Sequence, residues 1–167
     1  LDVIGQDLTM MADVYITEHA TTFNRHQTII SKEGAFQLAI ANDNDYSTPG
    51  EIVWRIYLDQ SSLPDAQWVG TNYVAPLNTW INVIVTYNGS EVRTFVNGNL
   101  VSTSQYDSND EYISPDDENF IPGNMDYRAG TSIAQSNKPL LVGAEVIMEG
   151  PSFHYERNLR KVSIDRV

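Results

Sequence analysis

"WINVIVTYNGSEVRTFVNGNLV", residues 80–101, decides the fold. Ile81, Val83, Val85 and Tyr87 alternate with Trp80, Asn82, Ile84 and Thr86, the period of two expected of a strand buried on one face. Two Asn-Gly pairs follow, Asn88-Gly89 and Asn97-Gly98. Both residue types tolerate the positive φ of tight hairpin turns, so the stretch predicts a three-stranded antiparallel meander over residues 80–105.

The same alternation recurs on either side. Leu8, Met10, Ala12, Val14 and Ile16 form one apolar face, with Thr9, Asp13 and Tyr15 on the other. Thr28 to Glu33 repeats the signal and ends at Gly34; Phe36, Leu38 and Ile40 continue it. Ile52, Trp54, Ile56 and Leu58 alternate with Val53, Arg55 and Tyr57, after a turn-rich loop at residues 42–50. "SSLPDAQ" then breaks the pattern before the short strand "WVGTNYV". Pattern returns at Pro139–Ala144 and at Arg160–Val167. At least nine short strands with no convincing 3.6-residue period predict an all-β sandwich or barrel. Residues 106–139 are polar, acidic and weakly periodic. They read as a long insertion outside the core of one domain spanning residues 1–167.

Composition narrows the function classes. The chain has 167 residues, 41% hydrophobic and with 17 aromatics (9 Tyr, 5 Phe, 3 Trp), enough for one sizeable core. Zero cysteines remove disulfides, thiolate metal sites and thiol nucleophiles. A net charge of −12 repels nucleic acid and anionic lipid, and the nearest basic group, Arg157, Arg160 and Lys161, stands beside Glu156. No apolar run approaches membrane-spanning length, so membrane insertion is not expected. No signal peptide is visible, and Leu1 in place of Met reads as a processed product or a piece of a longer protein.

"NTWINVIVTYNGSEVRTFVNGNLVSTSQ" resembles the central signature of laminin-G-like, concanavalin A-like jelly-roll domains, in which a Trp opens a strand and two turn-forming pairs follow. "LTMMADVYI", "QTIISKEGAFQLAI" and "PLLVGAE…RKVSIDRV" are similar to flanking strands of that family, in order and spacing. The resemblance implies an antiparallel jelly-roll β-sandwich. Three departures stand out, one being that residues 106–139 are longer than the family's usual connection. The family's first edge strand would precede Leu1, and Arg166 occupies a position usually acidic. A missing first strand would leave the segment Arg160–Val167 with an unpaired side, open to another chain or a neighbouring domain. Many relatives also hold a structural Ca²⁺. By position, the resemblance implies Asp165, the carbonyl neighbourhood of Glu33 and Gly34, and Asp2 as its ligands.

Some relatives hydrolyse β-glucans through a strand reading Glu-x-Asp-x-x-Glu, and no Glu here has that spacing. Nor does a Gly-x-Ser-x-Gly, a phosphate-binding glycine loop or a His-Glu-x-x-His occur, so an enzyme is not expected. His19, His26 and His154 read as surface residues without a third ligand for a metal. The acidic clusters Asp43/Asp45, Asp107/Asp110/Glu111 and Asp116/Asp117/Glu118 suit Ca²⁺ or simply solvated loops. Sugar binding calls for aromatic faces, and Tyr57, Trp68, Tyr73, Phe153 and Tyr155 lie off the expected core face. The bland alternatives are that Tyr57 covers its own sheet and Trp68 caps an edge. The function expected is a non-catalytic module binding a glycan or protein surface, within a secreted, cell-surface or adhesin protein. The alternatives are a structural module of a virion or filament, and a glycan-active hydrolase with an unfamiliar site.

Overall fold

The computed structural model describes residues 5–19, 26–42, 48–58, 68–89, 91–106, 112–113, 132–149, 152–156 and 162–167. Among these are thirteen strands and no helix: β1 (Asp7–Ile16), β2 (Gln27–Lys32), β3 (Phe36–Ile40), β4 (Glu51–Ile56), β5 (Val69–Val74), β6 (Trp80–Asn88), β7 (Glu91–Val96), β8 (Asn99–Tyr106), β9 (Tyr112–Ile113), β10 (Leu140–Val142), β11 (Glu145–Glu149), β12 (Ser152–Glu156) and β13 (Val162–Ile164). Six form one sheet in the order β13-β1-β6-β7-β8-β9, and five form a second in the order β10-β2-β3-β4-β5. All pairings are antiparallel. The chain lays down β1 in the first sheet, β2–β5 in the second, and β6–β9 back in the first. The result is the expected all-β jelly-roll sandwich.

The core lies between the sheets and uses the faces that alternation predicts. Leu8, Met10, Ala12, Val14 and Ile16 of β1 and Ile81, Val83, Val85 and Tyr87 of β6 are all buried. They meet Phe36, Leu38, Ile40, Ile52, Trp54 and Ile56 from the other sheet. Each such side chain contributes roughly 1.5–3 kcal/mol, which holds the sandwich without disulfides.

The second turn of the meander is as expected. Val96 pairs with Asn99, leaving Asn97 (φ 50°) and Gly98 (φ 80°) as a two-residue loop of the type I′ hand. The first turn is displaced by one residue. β6 runs through Asn88 and β7 begins at Glu91, whose N–H donates to Asn88 Oδ1 at 3.0 Å. Asn88 thus ends the strand and acts through its side chain, while Gly89 takes the positive φ of 95°.

Three elements depart from expectation. β11 and β12 pair as a hairpin where no pattern was read. β9 pairs with β8 from inside the 106–139 insertion. Ile133, also in that segment, is 1% exposed within the main core, bridged to Leu58. The segment is therefore not wholly outside the core: an aliphatic side chain at the mouth of the sandwich is driven in by the same burial that holds the strands. β13 pairs only with β1 among the described residues and ends its sheet.

Candidate functional site

Sheet faces in a sandwich alternate between core and exterior, yet every residue of β2 and β3 is buried. The outer face of the five-stranded sheet carries a second small cluster, Ala39, Ala41 and Val53, on which Trp68 packs. Beside it, Ser31, Gln37 and Arg55 stand in register across β2, β3 and β4. Arg55 Nε donates to Gln37 Oε1, and Gln37 Nε2 donates to Ser31 Oγ (2.8 Å) and Glu33 Oε2 (2.7 Å). Arg55 also pairs with Glu33 at 3.4 Å, and the Tyr57 hydroxyl reaches the other Glu33 oxygen at 3.5 Å.

The guanidinium sits between two rings, 4.8 Å from the Trp68 centroid and 5.3 Å from that of Tyr57. A planar cation over aromatic faces is held by the ring quadrupoles, and here hydrogen bonds fix its plane as well. The Arg55 and Glu33 side chains keep 18% and 29% exposure, so solvent reaches both. His26 closes the row edge-on to Trp68, with centroids 4.7 Å apart. Its Nδ1 accepts the Asn42 N–H at 3.3 Å. Burial first, then the nearby Arg55 charge, lower its pKa to about 4 against a smaller opposing effect of Asn42. His26 is therefore a neutral, buried wall of the site and not the surface residue expected.

Of the five aromatics singled out, the fold joins Tyr57 and Trp68 through Arg55. Tyr73 packs against the main core, so its assignment to the outer face does not hold. Phe153 and Tyr155 lie on β12, opposite Met148 and Val146, and their side chains fall outside the described residues. Arg55 and Gln37 were missed as site residues. Their only signal was a polar residue in one outward slot of β3 and of β4, beside the apolar Ala39 and Val53.

The expected Ca²⁺ ligands belong to different sheets: Asp165 follows β13, and Glu33 and Gly34 lie in the turn between β2 and β3. Ile133 N donates to Gly5 O, Ala134 N to Tyr57 O and Tyr57 N to Ala35 O, so the segment around Ile133 links the residues before β1 to the end of β4 and the β2–β3 turn. Asp165 N instead donates to Asp13 O, six residues further along β1 than Asp7. The Glu33 carbonyl accepts from Ser136 Oγ, Gly34 (φ 77°) makes the turn, and Asp165 lies 3.7 Å from Arg166. Asp2 lies outside the described residues. Among the described residues, no group of three or more His, Asp or Glu could hold a metal ion.

The fold is similar to several solved structures. A "putative carbohydrate binding protein" from Bacteroides ovatus shares 14% identity, with 99% of this chain and 55% of that one covered, at a TM-score of 0.48. Domain 4 of an extracellular GH43 arabinanase from Geobacillus stearothermophilus, in complex with arabinotriose, shares 12% identity over 83% of this chain and 57% of that one, TM-score 0.36. A heptameric SAP-like pentraxin from Limulus polyphemus shares 10% identity over 98% and 85%, TM-score 0.35. The chain thus spans little more than half the length of the first two. No curated protein sequence matches it significantly. Residues 2–144 match a family model that covers most of the sandwich, and the chain belongs to the concanavalin A-like lectin/glucanases superfamily.

Proposed function

We propose that the chain is a non-catalytic recognition module that binds a glycan through the outer face of its five-stranded sheet, on an extracellular or cell-surface protein. The observation that carries this reading is Arg55, held between Trp68 and Tyr57 and fixed in plane by Gln37 and Glu33. Sugars present hydroxyl pairs at the ring edge and C–H groups on the face. A pre-oriented guanidinium beside aromatic surface complements both, because its hydrogen-bonding plane is set before the ligand arrives. The superfamily includes lectins and glucanases, so membership alone does not choose between them. Retaining or inverting hydrolysis uses two carboxyl groups across the scissile bond, whereas Glu33 is the row's one carboxylate among the described residues and is paired to Arg55.

A glycan array with the wild type, Arg55→Ala and Trp68→Ala tests the reading. Expected are one or a few related glycans retained by the wild type and lost, at least tenfold, in either variant. Glycan binding unaffected by both substitutions would overturn it. A second reading, a structural module of a virion or filament, draws on β13, paired on one side only among the described residues. Concentration-dependent mass in sedimentation is its expected signature.

A further inference from the structure

The opposite face of the molecule, the outer side of the six-stranded sheet, carries an arrangement that the Arg55 row does not use. Tyr15 and Trp80 are directly paired across β1 and β6, their ring centroids 5.5 Å apart and tilted by 50°. Trp80 is 50% exposed, unusual for the largest apolar side chain on a sheet. The next outward row is polar: Asn82 Nδ2 donates to Asp13 Oδ1 at 2.7 Å, and Arg166 Nε pairs with Asp13 Oδ2 at 2.9 Å. One row further, Met11, Ile84, Phe95 and Leu100 run in register across four adjacent strands. Met11 and Leu100 are 44% and 54% exposed. Rows on one face recur about every 7 Å, so aromatic, amide and apolar rows follow one another over about 14 Å of the sheet.

We propose that this face is a second contact surface, for a neutral, extended carbohydrate chain whose ring faces rest on Tyr15–Trp80 and whose hydroxyls meet the Asp13–Asn82–Arg166 row. Three features select that ligand class. The indole N–H of Trp80 and the hydroxyl of Tyr15 have no hydrogen-bond partner among the described residues, so both aromatics offer a polar rim beside an apolar face. Asp13, Asn82 and Arg166 hold one another in orientation, and the carboxylate of Asp13 is compensated by Arg166. The net charge of −12 opposes both an acidic polymer and a second copy of the chain, but not a neutral polymer. The surface lies on the other sheet from Arg55, so it shares with the function proposed above only the class of ligand and stands or falls separately.

The test uses the full chain labelled with 5-fluorotryptophan, whose three tryptophans give three ¹⁹F resonances. Cellohexaose, xylohexaose, arabinohexaose and mannohexaose are titrated, with hexagalacturonate as the acidic comparison. Expected is a saturable shift of the Trp80 resonance with at least one neutral hexaose and none with hexagalacturonate. The shift should persist in Arg55→Ala, and Trp80→Ala and Asn82→Ala should weaken the affinity measured calorimetrically in that background at least tenfold. Trp80→Phe, which keeps a ring on Tyr15, should recover part of the loss and rules out simple unfolding. A Trp80 resonance indifferent to all four neutral hexaoses overturns the proposal, even where Trp68 responds. So does a Trp80 shift that depends on protein concentration alone, which would assign the face to a second copy.

Discussion

His26 stays neutral in the folded chain because protonation would place a charge in a buried position beside the Arg55 guanidinium. Its folded pKa of about 4 lies below the ordinary 6.5, so the unfolded chain binds the proton first as pH falls. The stability this residue contributes is complete above pH 6.5 and is lost as pH drops from there through 4. The loss is about 3 kcal/mol, at 1.36 kcal/mol per pKa unit. Denaturant melts of wild type and His26→Gln at pH 7 and pH 4 should show the wild type losing more by about that amount. Two glycines separate strain from crowding. A Cβ on Gly98 (φ 80°) meets nothing within 4 Å, so Gly98→Ala should cost only the backbone penalty, about 1 kcal/mol. A Cβ on Gly50 (φ 86°) would clash with the ring of His19, whose Nε2 is bonded to Ala75 O at 2.8 Å. Gly50→Ala should therefore cost at least about 2 kcal/mol, and chemical denaturation of the two variants orders them. At this scale the site was half legible. Tyr57 and Trp68 could be picked out as off-core aromatics, but nothing in their sequence spacing shows that one guanidinium lies between them.

Among the elements, strands β1, β2, β3, β4 and β6 could be read from their alternation, and β7 and β8 from the two Asn-Gly turns, because each strand turns one face to the opposite sheet. β2 and β3 are buried on both faces, and this was not readable, since it depends on what packs over the outer side. The 106–139 insertion was misjudged in part for a related reason. Burial of one isolated aliphatic, Ile133, leaves no periodic signal, although its backbone also ties Gly5 and Leu58 to that segment. Ile133→Ala should lower stability by about 2–4 kcal/mol, the cost of an uncollapsed cavity in a core, with cooperative unfolding retained. Denaturant titration checks this directly. A change below about 0.5 kcal/mol would place that side chain outside the core.

For the whole molecule, the placement of Asp165 after a strand of one sheet and of the Glu33–Gly34 turn in the other has a thermodynamic consequence. Ligand binding to the folded form raises stability only through residues that share the ion. Whatever response the wild type shows to millimolar Ca²⁺ against excess chelator, Asp165→Ala should show the same one, as read by melting temperature. The sandwich itself was determined by the sequence alone, through alternation, Asn-Gly turns and an apolar content sufficient for one core. Alternation is a property of neighbouring residues, so it is written locally. The two candidate surfaces were decided by the tertiary structure, because each is assembled across strands. The Arg55 row takes side chains from β2, β3 and β4 with Trp68 from before β5, and the Trp80 face joins β1 to β6. Which outward residues become neighbours depends on strand order and register. Those follow from how two sheets bury their faces together, a global free-energy minimum that no single segment encodes.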